Sequence, residues 1–144
     1  QYFNNYSNRI QQAKEDNMKE FKEQTVPAVN ELLKQISDLN KSIRENEIMG
    51  NPALELRDQR NNLLDELSGY VKIEVTYEEK YVGLSSNTVE ECTVKLIGTD
   101  GNGNPYKYTL VNNDKASSFS INDDCSQLTM TDVNGNPISD IGSA

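Results

Sequence analysis

Histidine and tryptophan are absent from this chain, and cysteine occurs only twice, at Cys92 and Cys125. Without histidine there is no base to activate a serine or cysteine nucleophile. A zinc site would have to rest on two thiolates and carboxylates, a poor donor set. Two cysteines are also too few for a disulfide framework; they read as inert β-region thiols or as one bridge. Basic residues are scarce, 14 against 23 acidic ones, for a formal net charge of -9. No segment carries the basic stripe that a phosphate backbone requires, so nucleic acid is not an expected partner. The same charge opposes docking on an anionic membrane surface. No run approaches the ~18–20 apolar residues of a membrane-spanning helix. Residues 1–20 have no apolar stretch of the kind found in a cleavable signal peptide. Glycines form no phosphate-cradling motif. The acidic pairs Asp123/Asp124, Glu78/Glu79 and Glu90/Glu91 fall in polar loops or strand ends, where nothing tunes them for acid–base work. The sequence therefore predicts no catalytic residue, no cofactor and no metal.

Hydrophobic residues make up 35% of the chain, less than a globule of 144 residues usually carries. An elongated shape suits that composition. The chain begins at Gln1 without a methionine and stops within ISDIGSA, which reads as a piece of a longer protein.

What is present begins with a helical pattern from about Tyr2 to Ile48. Apolar or small residues recur at Met18, Phe21, Thr25, Val29, Leu32, Ile36, Leu39 and Ile43, a coiled-coil seam with a four-residue stutter near Thr25–Val29. Tyr6, Ile10 and Ala13 continue it upstream. Pro27 falls at the stutter, where an interior proline removes a hydrogen bond and costs about 3 kcal/mol. A kinked but nearly continuous rod is expected there. Gly50-Asn51-Pro52 then stops one helix and starts another, which runs to Ser68 on Leu56, Leu63, Leu64 and Leu67. A short connection makes the two antiparallel, packing Leu56, Leu63 and Leu67 on Leu32, Ile36, Leu39 and Ile43. Arg57 and Arg60 share a face and can reach Asp38, Glu45 or Glu47, as exposed pairs worth at most ~1 kcal/mol each. The second helix covers only half of the first. The seam at Tyr6, Ile10, Met18 and Phe21 is left without an internal partner.

From Val71 the period changes to two. Strands are expected near 71–77, 81–84, 92–97, 106–111, 118–121 and 127–130, with SSNTVEE and NNDKAS as polar loops. A short repeat, Thr99-Asp100-Gly101-Asn102-Gly103-Asn104-Pro105 and Thr131-Asp132-Val133-Asn134-Gly135-Asn136-Pro137, predicts two hairpins with type I′ Asn-Gly turns. A calcium loop of the EF-hand type would need glycine at its sixth position, where proline stands. The fold expected is α+β: a long antiparallel helical hairpin over residues 1–70, coiled-coil-like, followed by a small antiparallel β-rich region over 71–144, truncated at its C-terminal end.

One segment is more specific. Val29-Asn30-Glu31-Leu32-Leu33-Lys34-Gln35-Ile36-Ser37-Asp38-Leu39-Asn40-Lys41-Ser42-Ile43, the Gly-Asn-Pro turn, and LRDQRNNLLDELSGYVKIEV closely resemble the flagellar hook-associated protein 1 family. The likeness spans about residues 10–78 and is strongest over 29–75; Asn61 stands where the family often has aspartate. It implies a structural subunit at the hook–filament junction, assembled as a ring and exported without a cleavable signal peptide. The chain would be a central fragment lacking the terminal helices. Implied partners are neighbouring copies, the hook protein, the second junction protein, an export chaperone, and the parent's C-terminal helix on the open seam. A different reading, an adhesive or carbohydrate-binding β module on a helical stalk, is prompted by Tyr77, Tyr81, Tyr106 and Tyr108.

Overall fold

A computed structural model describes residues 19–81, 88–123 and 127–138. A π-helical turn, Phe21–Thr25, leads without a break into helix α1, Val26–Ile48, and α2 follows over Leu54–Ser68. Two antiparallel sheets come next. The first has the order β1-β2-β3-β4, with β1 Ile73–Tyr81, β2 Thr88–Thr99, β3 Pro105–Asn112 and β4 Lys115–Ala116. The second has the order β5-β6-β7, with β5 Ser118–Ile121, β6 Leu128–Thr131 and β7 Pro137–Ile138.

Pro27 sits inside the first turn of α1, and the chain accommodates it through the wide turn just before it. There the Val26 N–H reaches back five residues to the Phe21 carbonyl. The wider spacing gives the proline ring room and absorbs the stutter of the seam. The helix ends as its sequence predicts. Gly50 takes a φ of 86°, its N–H donates to the Glu47 carbonyl at 3.0 Å, and the Asn51 N–H donates to Asn46 at 2.8 Å. These are the paired bonds of a Schellman cap, with glycine at the left-handed position.

The expected long helical hairpin is not the architecture. One long helix and one short helix lie against two antiparallel sheets, within the broader α+β class. The reason is visible in the core. Val29, Leu32, Leu33, Ile36, Leu64 and Leu67 form one apolar cluster with Cys92, Val94, Leu110, Val111 and Met130 from the strands. The seam is thus wider than a two-helix stripe, because Leu33 and Asn40 are buried along with Ile36 and Ile43. A coiled-coil pair would expose them; a sheet packed on the same helix covers them.

Two strand expectations and the turn type also change. Thr88–Glu91, within the stretch read as a loop, is the start of β2, paired with β1 from Tyr81↔Thr88 to Ile73↔Leu96. The strand expected near 81–84 reduces to Tyr81 at the end of β1, and residues 82–87 lie outside the described ones. The two Asn-Gly turns are not type I′. Only Gly103 and Gly135 have positive φ, 83° and 87°, so each loop is a type I turn closed by a left-handed glycine. Between the sheets the chain turns at buried Ser117, whose N–H and hydroxyl both donate to the Leu110 carbonyl, at 2.8 and 2.9 Å.

Candidate functional site

The polar residues of the two helices converge on the sheets. Asn30, on α1, pairs with the backbone of Phe119 in β5: its Nδ2 donates to the carbonyl at 2.8 Å, and its Oδ1 accepts the amide N–H at 2.7 Å. One side-chain amide thereby stands in for a neighbouring strand. Ten residues further on, Asn40 is fully buried, and its Nδ2 donates to the Asn113 carbonyl at 2.8 Å. Asn113 forms the β3–β4 turn with a φ of 53°. It exchanges bonds with Cys92 of β2, its N–H donating at 2.8 Å and its Oδ1 accepting at 3.3 Å.

Arg60 of α2 closes the arrangement. It is only 3% exposed. One Nη donates to Asn40 Oδ1 at 2.9 Å and the other to Glu90 Oε1, on β2, at 2.8 Å. Its guanidinium carbon lies 5.0 Å from the centre of the Tyr77 ring, a cation–π contact. Arg57, one helical turn earlier and a third exposed, donates to the other Glu90 oxygen at 3.1 Å and also bonds Glu47 at the end of α1. Glu47 in turn accepts the Glu90 backbone N–H at 3.1 Å. The two arginines therefore meet Glu47 as expected, but their shared partner is a strand residue. Asp38 and Glu45 form no ion pair with either.

Electrostatics follow from burial. Desolvation works against the Arg57 charge, but the Glu47 hydrogen bond and the charges of Glu90 and Glu47 outweigh it and raise its pKa further. Burial pushes the Cys92 thiol up, with Arg60 and Asn40 partly opposing. Burial likewise raises Tyr77, reinforced by Cys92 and Glu90 and opposed by Arg60 and Arg57. Cys92 is a free, buried thiol. Cys125 lies outside the described residues. The cluster holds Arg57 and Arg60 in ion pairs with Glu47 and Glu90 and so ties both helices to β2.

The remaining predicted positions divide by depth. Leu32, Ile36, Ile43, Leu64 and Leu67 are buried. Leu39, Leu56 and Leu63 are partly exposed, and Leu39 and Leu63 floor an open groove of about 500 Å³ between the helices, rimmed by Gln35, Asp38, Ser42, Gln59 and Asn62. The pairings Glu47 with Arg57 and Asn40 with Arg60 show that the helices run antiparallel. Phe21 is half-buried and lines a small apolar cleft with Val29, Tyr70, Val71, Leu96 and Phe119. Tyr6, Ile10 and Met18 lie outside the described residues. Tyr106 lies across Gly98, where a Cβ would come within 2.4 Å of its hydroxyl, and its ring is tilted 43° to Tyr108. Both rings thus pack on the sheet instead of forming a flat platform. Sequence reasoning missed Asn30, Asn40, Glu90, Cys92 and Asn113. The only signal available was the pair of asparagines at apolar positions of α1, which a helix facing another helix would not need.

Among the described residues, no cluster of His, Cys, Asp or Glu could hold a metal ion, and no helix is long and apolar enough to cross a membrane. The described residues form a helix-and-sheet body whose helices are tied to the strands by buried polar contacts. Residues 1–141 match the family described as the flagellar hook-associated protein FlgK helical domain. The chain belongs to that family. Its role is accordingly that of a structural, hook-associated component of the bacterial flagellum, a part of the motility apparatus that associates with other flagellar components such as hook and junction proteins. Comparisons with curated proteins and with solved structures gave no match.

Proposed function

We propose that the chain is part of the subunit that joins hook to filament, set in a ring with neighbouring copies. The hook protein would lie on one side and the second junction protein on the other. The observation that carries this reading is the family match over 1–141 together with the internal fastening of helices to sheets. A joint under torque needs subunits that transmit load without rearranging, and buried charge pairs in fixed geometry supply that stiffness. The open groove over Leu39 and Leu63, and the exposed tip at Ile48, Met49 and Leu54, are surfaces on which neighbours would sit. The parent's C-terminal helix would cover the Tyr6–Phe21 seam. A cytoplasmic chaperone would keep the chain competent for export to the extracellular appendage.

The test uses the parent protein in assembled flagella. A cysteine placed at Met49, which is 72% exposed, is labelled with gold and located by electron microscopy. A single band of label between hook and filament supports the proposal; label spread along the filament, or none on purified flagella, overturns it.

A further inference from the structure

The two Asn-Gly turns are a chemically vulnerable pair that the fold holds in one and the same way. Asn102-Gly103 and Asn134-Gly135 are the only Asn-Gly dipeptides in the chain. In an open chain this dipeptide cyclises. The Gly backbone nitrogen bonds to the Asn Cγ, and the Cγ–Nδ2 bond breaks. The amide proton leaves with the departing nitrogen as ammonia. Water then opens the succinimide ring at either carbonyl, giving aspartate or isoaspartate. Asn-Gly is the fastest such pair because glycine places no Cβ in the path of attack.

In the folded chain the attacking nitrogen is engaged. The Gly103 N–H donates to the Asp100 carbonyl at 3.0 Å, and the Gly135 N–H to the Asp132 carbonyl at 3.0 Å. Each aspartate side chain then fixes the loop from outside. Asp100 Oδ1 accepts the Asn102 and Asn104 N–H groups, both at 2.9 Å. Asp132 Oδ1 accepts those of Asn134 and Asn136, at 2.9 and 2.8 Å. The backbone bonds from Asp100 to Asn104, 2.9 Å, and from Asp132 to Asn136, 2.8 Å, complete the likeness. The turns lie in different sheets, joining β2 to β3 and β6 to β7, so the local sequence, not shared surroundings, produces the match. Both asparagines are exposed, and water is freely available for the second step.

We propose that Asn102 and Asn134 are the chain's paired sites of spontaneous deamidation and isoaspartate formation, and that the Asp100 and Asp132 carboxylates hold them in check by keeping each glycine nitrogen turned into its own turn. Attack requires the turn to open, and losing the carboxylate frees two N–H groups at once.

The twin turns provide an internal control. The full chain is incubated in mildly alkaline buffer, and deamidation at each site is followed by peptide mass mapping with isoaspartate detection. In denaturant both sites convert at equal rates; in the native chain both are slower several-fold. Asp100→Ala accelerates Asn102 several-fold relative to Asn134 in the same molecule, and Asp132→Ala reverses the bias. Asp132→Asn, which keeps an acceptor oxygen and is followed by Val133 so that no new Asn-Gly pair arises, leaves the ratio of the unsubstituted chain. An unchanged ratio in either alanine variant overturns the proposal, as does an equal rise at both turns or native deamidation concentrated at other asparagines.

Discussion

Arg60 shows how far a residue's worth depends on what lies above it. At the surface of a helix pair it would contribute at most ~1 kcal/mol to an ion pair. Buried beneath the sheet, it is the sole donor from α2 to both Asn40 Oδ1 and Glu90 Oε1. Truncating one partner of such a pair strands the other, at a cost of about 3–5 kcal/mol. Arg60→Ala should therefore lower the urea unfolding free energy by roughly 3 kcal/mol or more, while Arg57→Ala, a third exposed, should cost about 1 kcal/mol. Equal losses in urea titrations of the two variants would show that burial does not separate them.

The thiol at Cys92 yields a pH dependence of definite sign. Burial raises its pKa and that of Tyr77 in the folded chain. The folded state then keeps protons that the unfolded state surrenders above its ordinary thiol value of about 8.5. The contribution is complete below that pH and is lost as pH rises through the folded values. The urea midpoint should fall above about pH 9, and Cys92→Ala should flatten the first part of that fall. A midpoint that rises over the same range would be inconsistent with a neutral buried thiol.

At the scale of elements, Asn30 is the sharpest case. Its amide holds both backbone groups of Phe119, at 2.8 and 2.7 Å. Asn30→Ala leaves a partly buried donor and acceptor unpaired, for about 1–3 kcal/mol. The loss should be local first: hydrogen exchange at the Phe119 amide should quicken well before that of β2. Unchanged protection at Phe119 would mean the strand is held by β6 alone.

The C-terminal ends of both helices, the Gly50 cap, most of the period-two strands and the places of the two Asn-Gly turns, though not their type, were legible in the sequence, because each is set by neighbours a few residues away. The faces of α1 were not. Periodicity marks Leu32, Ile36 and Ile43 as buried but is silent on whether a helix or a sheet buries them. Asn30 and Asn40 were the clue: polar residues on a buried stripe need partners, and a sheet edge or turn offers free backbone groups that another helix lacks. Glu90 could not be singled out, since its place beside Arg57 and Arg60 is fixed by a pairing register with β1 that spans distant residues. The turn type was missed because Asn-Gly fits both a two-residue and a three-residue loop, and the preceding aspartate decides between them.

At the scale of the whole molecule, the polar residues of the helical segment lock helices to sheets. Arg60 and Glu90 lie on α2 and β2, and each touches the other directly at 2.8 Å. The most direct measurement is a double-mutant cycle on that pair, Arg60→Met and Glu90→Gln singly and together, read by urea unfolding of the full chain. A coupling of at least about 1 kcal/mol is expected, with the double variant more stable than the sum of the single losses. Additive losses would contradict it, and would leave the helices resting on the sheets by apolar contact alone.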